Sequence, residues 1–204
     1  MSSFSIVHDV SQELRQQIFA ALDSAPDVDF SLTSAAANIS LSPPNDISDS
    51  SVLASLYLYH VDIDRHLRNQ RPLPDPGRAD AFRLPPLPLQ LRYLLTPVDD
   101  DELNNQLLLG RVIQLFHDAP IVSALGGAGI GDSFGGASAE LRVRPDLLSM
   151  EQLSQVWSAF STPYRLSVTL LVEVVAVDSA LPPRRQPRVS EKVVATGLKE
   201  REDG

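Results

Sequence analysis

The chain has no cysteine among its 204 residues. Disulfide bridges and thiolate-held metal centres are thereby excluded, and the composition is compatible with a reducing compartment. Long apolar runs are missing too. The most apolar stretch, Leu166 to Val177, carries Glu173 and falls well short of the ~20 residues that span a bilayer. The start, Met1-Ser2-Ser3-Phe4-Ser5, lacks the basic and apolar segments of a signal peptide. The expectation is a chain with no membrane insertion and no export through an N-terminal signal. Positive charge is scarce: 17 Lys and Arg stand against 26 Asp and Glu, a net −9. That balance argues against nucleic acid or an anionic membrane as principal partner, since both reward clustered cations.

What remains is globular in character. With 43% hydrophobic and 21% charged residues the chain can bury a core, and its length suits one domain better than two. Val7, Val10, Leu14, Ile18 and Leu22 recur at helical spacing, and Asp23-Ser24-Ala25-Pro26 ends that helix. Val28, Phe30 and Leu32 alternate as in a strand, and Ile39 with Leu41 marks another short one. Val52 to Ile63 is apolar on both alternating sets at first and on one later, which predicts an interior strand emerging into solvent.

Residues 71–88 hold six of the sixteen prolines, so a long arm without regular structure is expected there. Leu87, Leu89, Leu91, Tyr93 and Leu95 alternate as a strand ending at Thr96-Pro97. Asp99 and Glu102 predict a capping box opening a helix through Leu103, Leu107, Leu108, Val112 and Leu115. Gly110 inside it costs roughly 1 kcal/mol relative to Ala, which suggests that something packs closely there. A second capping box, Ser149 with Gln152, precedes Leu153, Val156, Trp157 and Phe160. Leu166 to Val177 is apolar on both faces and belongs in the middle of a sheet. The fold class is therefore α+β: a mixed central β-sheet with packed helices.

Composition changes at Leu181. The last 24 residues carry six basic and four acidic side chains, net +2, leaving −11 on the preceding 180. The division expected is a body over 1–180 and a flexible, basic, proline-rich tail over 181–204.

Three constellations could carry chemistry. Gly131-Asp132-Ser133-Phe134-Gly135 has the form of the nucleophile elbow of serine hydrolases, which needs a strand before it, a helix after it and a later histidine. His8, His60, His66 and His117 all precede Ser133, and Ala139 to Val143 alternates like a strand, so a glycine loop is the preferred reading. Gly126 to Gly131 resembles a phosphate cradle, but lacks the Walker spacing and a following Lys-Ser or Lys-Thr pair. His60, Asp62, Asp64 and His66 are spaced by two and share one strand face. Their ligand types suit zinc or manganese, yet they spread over roughly 20 Å, so the wet face of an emerging strand is preferred. Tyr57, Tyr59, Tyr93 and Trp157 read as core or interface anchors, because Val52 to Asp62 has none of the basic residues of a base-stacking sheet. No catalytic residue, cofactor or metal site is assigned, and the chain is not expected to be an enzyme.

Three stretches taken together resemble a known family: Leu56 to Asn69; Pro85 to Pro97 continuing to Leu108-Leu109-Gly110-Arg111-Val112; and Leu153 to Trp157 followed by Pro163-Tyr164-Arg165-Leu166-Ser167-Val168 to Asp178-Ser179. Their order is similar to the N-terminal domain of cap proteins in extracellular contractile injection systems, such as the antifeeding prophage and the Photorhabdus virulence cassette. The resemblance covers about residues 1–180 and implies a phage tail-terminator-like fold. It further implies a homo-hexamer that ends the inner tube and anchors the last sheath ring, with tube and sheath proteins as partners. Such a subunit would be made in the bacterial cytoplasm and become part of the particle. The competing readings are a small serine hydrolase using Ser133 and an adaptor subunit of another phage-like particle. Partner-binding residues are expected on the arm (Arg71, Arg78, Arg83) and in the tail (Arg184, Arg185, Arg188, Val189, Lys192, Val193, Val194). There, alternating valines could add a strand to a neighbouring sheet.

Overall fold

The computed structural model describes residues 4–26, 28–67, 69–75, 77–130, 140–146 and 148–185. In chain order its elements are α1 (Ile6–Asp23), α2 (Ala35–Asn38), β1 (Ile39–Ser40), a 3-10 turn (Pro44–Asp46), β2 (Ala54–Ile63), β3 (Leu73–Asp75), β4 (Arg78–Arg83), β5 (Leu87–Pro97), α3 (Glu102–Asp118), β6 (Ile121–Val122), β7 (Ala124–Leu125), β8 (Ala128–Gly129), β9 (Leu141–Pro145), α4 (Met150–Ala159), β10 (Val168–Val177) and β11 (Arg184–Arg185). Six strands form one mixed sheet in the order β1-β2-β5-β10-β9-β6. Only β1 and β2 pair in parallel; the other neighbours are antiparallel. The α+β class expected from the sequence is what the chain adopts.

Parity along the strands sorts the residues into two layers. Ala54 and Leu56 of β2, Leu89, Leu91, Tyr93 and Leu95 of β5, Leu170, Val172 and Val175 of β10, and Leu141 and Val143 of β9 join one core cluster. Against that face lie α1, through Ile6, Val10, Leu14, Ile18 and Leu22, and α3, through Leu108, Leu109, Val112 and Phe116. Each helix presents a stripe at three-and-four spacing, and burying a large aliphatic side chain stabilises by about 1.5–3 kcal/mol. The opposite face carries Ser55, Tyr57, Leu94, Thr96, Thr169 and Leu171, and α4 covers part of it. Tyr57 meets Phe160 edge-on at 5.7 Å, and Phe160 meets Trp157 at 5.8 Å. Strand β10 lies between β5 and β9, as its double-sided apolar pattern requires.

Three local expectations are revised and one holds. Residues 28–33 join no ladder: Ser31 takes a positive φ of 53°, and Phe30 and Leu32 pack on the core as isolated side chains. Strand β2 is interior only where β1 flanks it, at Ala54 and Ser55. Beyond these, its burial comes from layers above and below. The cap of α3 is Asp101, which accepts from the Leu103 amide at 2.9 Å, while Asp99 accepts from the Asp101 amide and from Asn104. The Ser149–Gln152 capping box does form, with reciprocal bonds of 2.9 and 3.2 Å.

The largest revision concerns the arm. Strands β3 and β4 form a hairpin, and β11 adds to β4, with Arg184 opposite Phe82 and Arg185 opposite Ala81. Proline is tolerated because Pro74 lies in an edge strand, where a missing amide breaks no inner ladder. The chain leaving the central strand β10 thus turns back and lies on the arm.

Candidate assembly surfaces

The anchors expected of the aromatic residues divide by face. Tyr93 is fully buried within β5, and its hydroxyl meets that of Ser11 at 2.8 Å. Burial pushes its phenol pKa up to about 12, partly offset by the Ser11 hydrogen bond. Trp157 is buried on α4, donates its indole N–H to the Ser167 hydroxyl at 3.2 Å, and meets Tyr164 edge-on at 5.9 Å. Tyr59, at a bulge between Leu58 and His60, has its hydroxyl buried beside Arg92. Burial first, and the charge of Asp146 second, raise its pKa, with Arg92 opposing.

Beside Tyr59 the sheet face is wet. A groove of about 470 Å3 is lined by Tyr59, His60, Arg92, Gln152, Gln155 and Val156. Arg92 forms an ion pair with Asp146, whose backbone carbonyl accepts from Thr169 at 2.7 Å. Arg144 makes a two-pronged contact with Glu173 at 2.9 and 3.2 Å. These charges are mutually satisfied, which is the chemistry of a rigid scaffold.

The four residues spaced by two do not converge. His60 and Asp62 lie on β2 opposite Arg92 and Gln90, whereas Asp64 has left the strand. Its carboxylate accepts from the His66 amide at 2.8 Å and from Gln90 at 3.3 Å, closing a turn. Among the described residues no group of three or more His, Cys, Asp and Glu is placed to hold a metal ion.

The glycine-rich stretch begins as a hairpin. Gly126 and Gly127, with φ of 57° and 79°, make the two-residue turn between β7 and β8, a conformation glycine adopts without strain. The Gly126 amide already donates to Glu13 at 3.0 Å. Residues 131–139, including Ser133, lie outside the described residues. The element described after them is a strand, β9, where a nucleophile elbow calls for a helix. A cleft of about 630 Å3 lies among Asn45, Asp49, Asp100, Trp157, Tyr164 and Arg165, and no histidine or lysine is among the described residues that line it.

The residues expected to bind partners fall into two groups. Arg71, Arg78, Arg184 and Arg185 are exposed, and Arg83 is half-buried with no hydrogen-bond partner for its Nε among the described residues. The β11–β4 ladder gathers Arg78, Arg83, Arg184 and Arg185 on one small sheet, with Arg185 3.7 Å from Asp80. Arg188, Val189, Lys192, Val193 and Val194 lie outside the described residues.

The sequence reading did not single out the outward side of α3. Leu103, Leu107 and Ile113 are exposed there, and a side chain built at Gly110 would meet nothing within 4 Å. The signal was present, since Leu103, Leu107, Gly110 and Ile113 recur at three-and-four spacing beside the core stripe.

This layout is an α+β scaffold with a charge-paired sheet face and apolar patches facing outward. The chain belongs to the Pvc16 N-terminal domain family, whose model matches residues 9–191. No curated protein matches the chain in sequence. Two cryo-EM structures share its fold. The sheath/tube terminator of an extracellular contractile injection system, PVC, in its extended state, is 19% identical with a TM-score of 0.58, over 97% of this chain and 66% of that one. The tube-terminating cap of the anti-feeding prophage is 17% identical with a TM-score of 0.56, over 92% of this chain and 60% of that one. The chain spans about two thirds or less of the length of these structures. Among the described residues no helix is long and apolar enough to cross a membrane.

Proposed function

We propose that the chain is a structural cap subunit of a contractile injection system, a non-enzymatic part that ends the inner tube and anchors the last sheath ring. The observation that carries this reading is the shared fold along 97% of the chain with a sheath/tube terminator, together with membership of the Pvc16 N-terminal family. The subunit acts as a homo-hexamer: a six-fold tube end is matched by a ring whose repeated heterologous contact closes after six copies. Assembly takes place in the bacterial cytoplasm, and the subunit then stays in the particle. Residues 1–180 form the body. The tail, 181–204, follows from Arg184–Arg185 on the arm, and Arg188, Val189, Lys192, Val193 and Val194 are assigned to sheath binding.

Purified chain added to tubes of its own particle, viewed by negative-stain electron microscopy, tests the reading. Density confined to tube ends and an end to further tube growth are expected. Free tube ends in excess cap protein would refute it.

A further inference from the structure

Two surface patches of this chain are chemical complements that a single copy cannot bring together. The first surrounds the start and outward side of α3. Leu103 is 69% exposed and Leu107 49%, Ile113 lies further along, and Asp100, Asp101 and Glu102 sit at the acidic end. Gly110 stands in the middle of this stripe. A glycine inside a helix costs about 1 kcal/mol, and among the described residues nothing lies within 4 Å of where its side chain would stand, so their packing does not explain it. A stripe of exposed leucine and isoleucine broken by a bare stretch of backbone is what a closely approaching partner surface requires.

The second patch is the arm. Leu84, Leu87 and Leu181 are exposed around the β3-β4-β11 sheet, with Arg78 and Arg184 beside them. Among the described residues no carboxylate lies within ion-pair distance of either arginine. One patch is apolar and acidic, the other apolar and basic. They lie at opposite ends of β5, which runs from Leu87 beside the arm to Pro97 before Asp99–Glu102. Eleven residues of strand hold them about 35 Å apart. Complementary patches fixed apart on one rigid sheet are satisfied only between copies, and such a contact is heterologous.

We propose that the arm of one copy docks on the outward side of α3 of the next. Leu84 and Leu87 pack on Leu103, Leu107 and the bare backbone at Gly110, and Arg78 and Arg184 face Asp100 and Glu102. The proposal rests on the ring reading above and assigns the surfaces that build the ring.

Two charge-reversed full-length chains test it: one with Arg78→Glu and Arg184→Glu, the other with Asp100→Arg and Glu102→Arg. Mass photometry at matched concentrations should find each variant alone assembling at least about tenfold more weakly than wild type. An equimolar mixture should regain rings of alternating copies, because each altered patch then meets its new opposite. Full assembly of either variant alone, or failure of two folded variants to assemble together, overturns the proposal. So does a wild-type chain that stays monomeric; tube-end binding is scored separately and reports on the cap function.

Since the chain lacks cysteine, a Leu84→Cys, Leu107→Cys double variant gives a second reading that does not depend on charge reversal. A short bismaleimide should convert it, but neither single variant, into a ladder of linked copies. An assembled double variant that yields no ladder refutes the contact.

Discussion

The Tyr93 hydroxyl lies 2.8 Å from the Ser11 hydroxyl, joining the middle of β5 to the second turn of α1 across the core. The Ser11 hydroxyl also lies 2.8 Å from the Val7 carbonyl, so it ties Tyr93 to the helix backbone. Tyr93→Phe deletes that bond and should lower stability by about 1 kcal/mol at neutral pH, read as a reduced urea midpoint.

The same residue carries an alkaline limit. Its pKa in the fold, about 12, exceeds the ordinary value of 10.0, so ionisation favours the unfolded chain. The contribution is whole below pH 10 and falls away as pH climbs to 12, by about 3 kcal/mol in all. Denaturation curves from pH 9 to 12 should show this decline, and Tyr93→Phe should flatten it.

Arg92 and Asp146 pair on the partly covered sheet face, at 25% and 13% side-chain exposure. Arg92→Met leaves the carboxylate short of its main partner. A loss of about 1–3 kcal/mol is expected, lower than for a fully buried pair because water reaches the site. Thermal unfolding checks it.

Gly110→Ala supplies a methyl group to an exposed helix interior with open space around it. The isolated chain should gain about 0.5–1 kcal/mol. A loss of stability in the monomer would mean that a neighbouring group occupies the space beside Gly110.

How far the sequence foretold this fold depended on whether a pattern was local. The helices α1, α3 and α4 and the strands β2, β5 and β10 were legible because periodicity records which side faces the core. The Ser149–Gln152 box was legible because its two bonds span three residues. The arm was misread because proline count speaks of forbidden amides and not of which strand edge they occupy; Pro74 sits where no donor is needed. Strand β11 had no signal of its own, since its partner Ala81 lies some hundred residues earlier in the chain. The α3 cap fell on Asp101 instead of Asp99, a shift of two residues among three consecutive aspartates with equal capping chemistry. The outward α3 stripe went unremarked because it is interleaved with the core stripe on the same helix.

Removal of β11 tests that distant pairing. Truncation after Ala180 should leave the main thermal transition in place, since among the described residues none beyond Val177 joins the core cluster. Amide exchange at Arg78–Arg83 should accelerate, because β4 loses the partner on one side. Unchanged protection there would show that the arm holds without the returning strand.

That returning strand also has a mechanical consequence. A pull on residues beyond Arg185 loads two residue pairs of ladder before it reaches the long strand in the centre of the sheet. When those pairs peel away, the segment between Val177 and Arg184 is free to straighten, to at most about 25 Å. The arm is therefore a short, re-formable seam that opens under tension before the core strand loses its register.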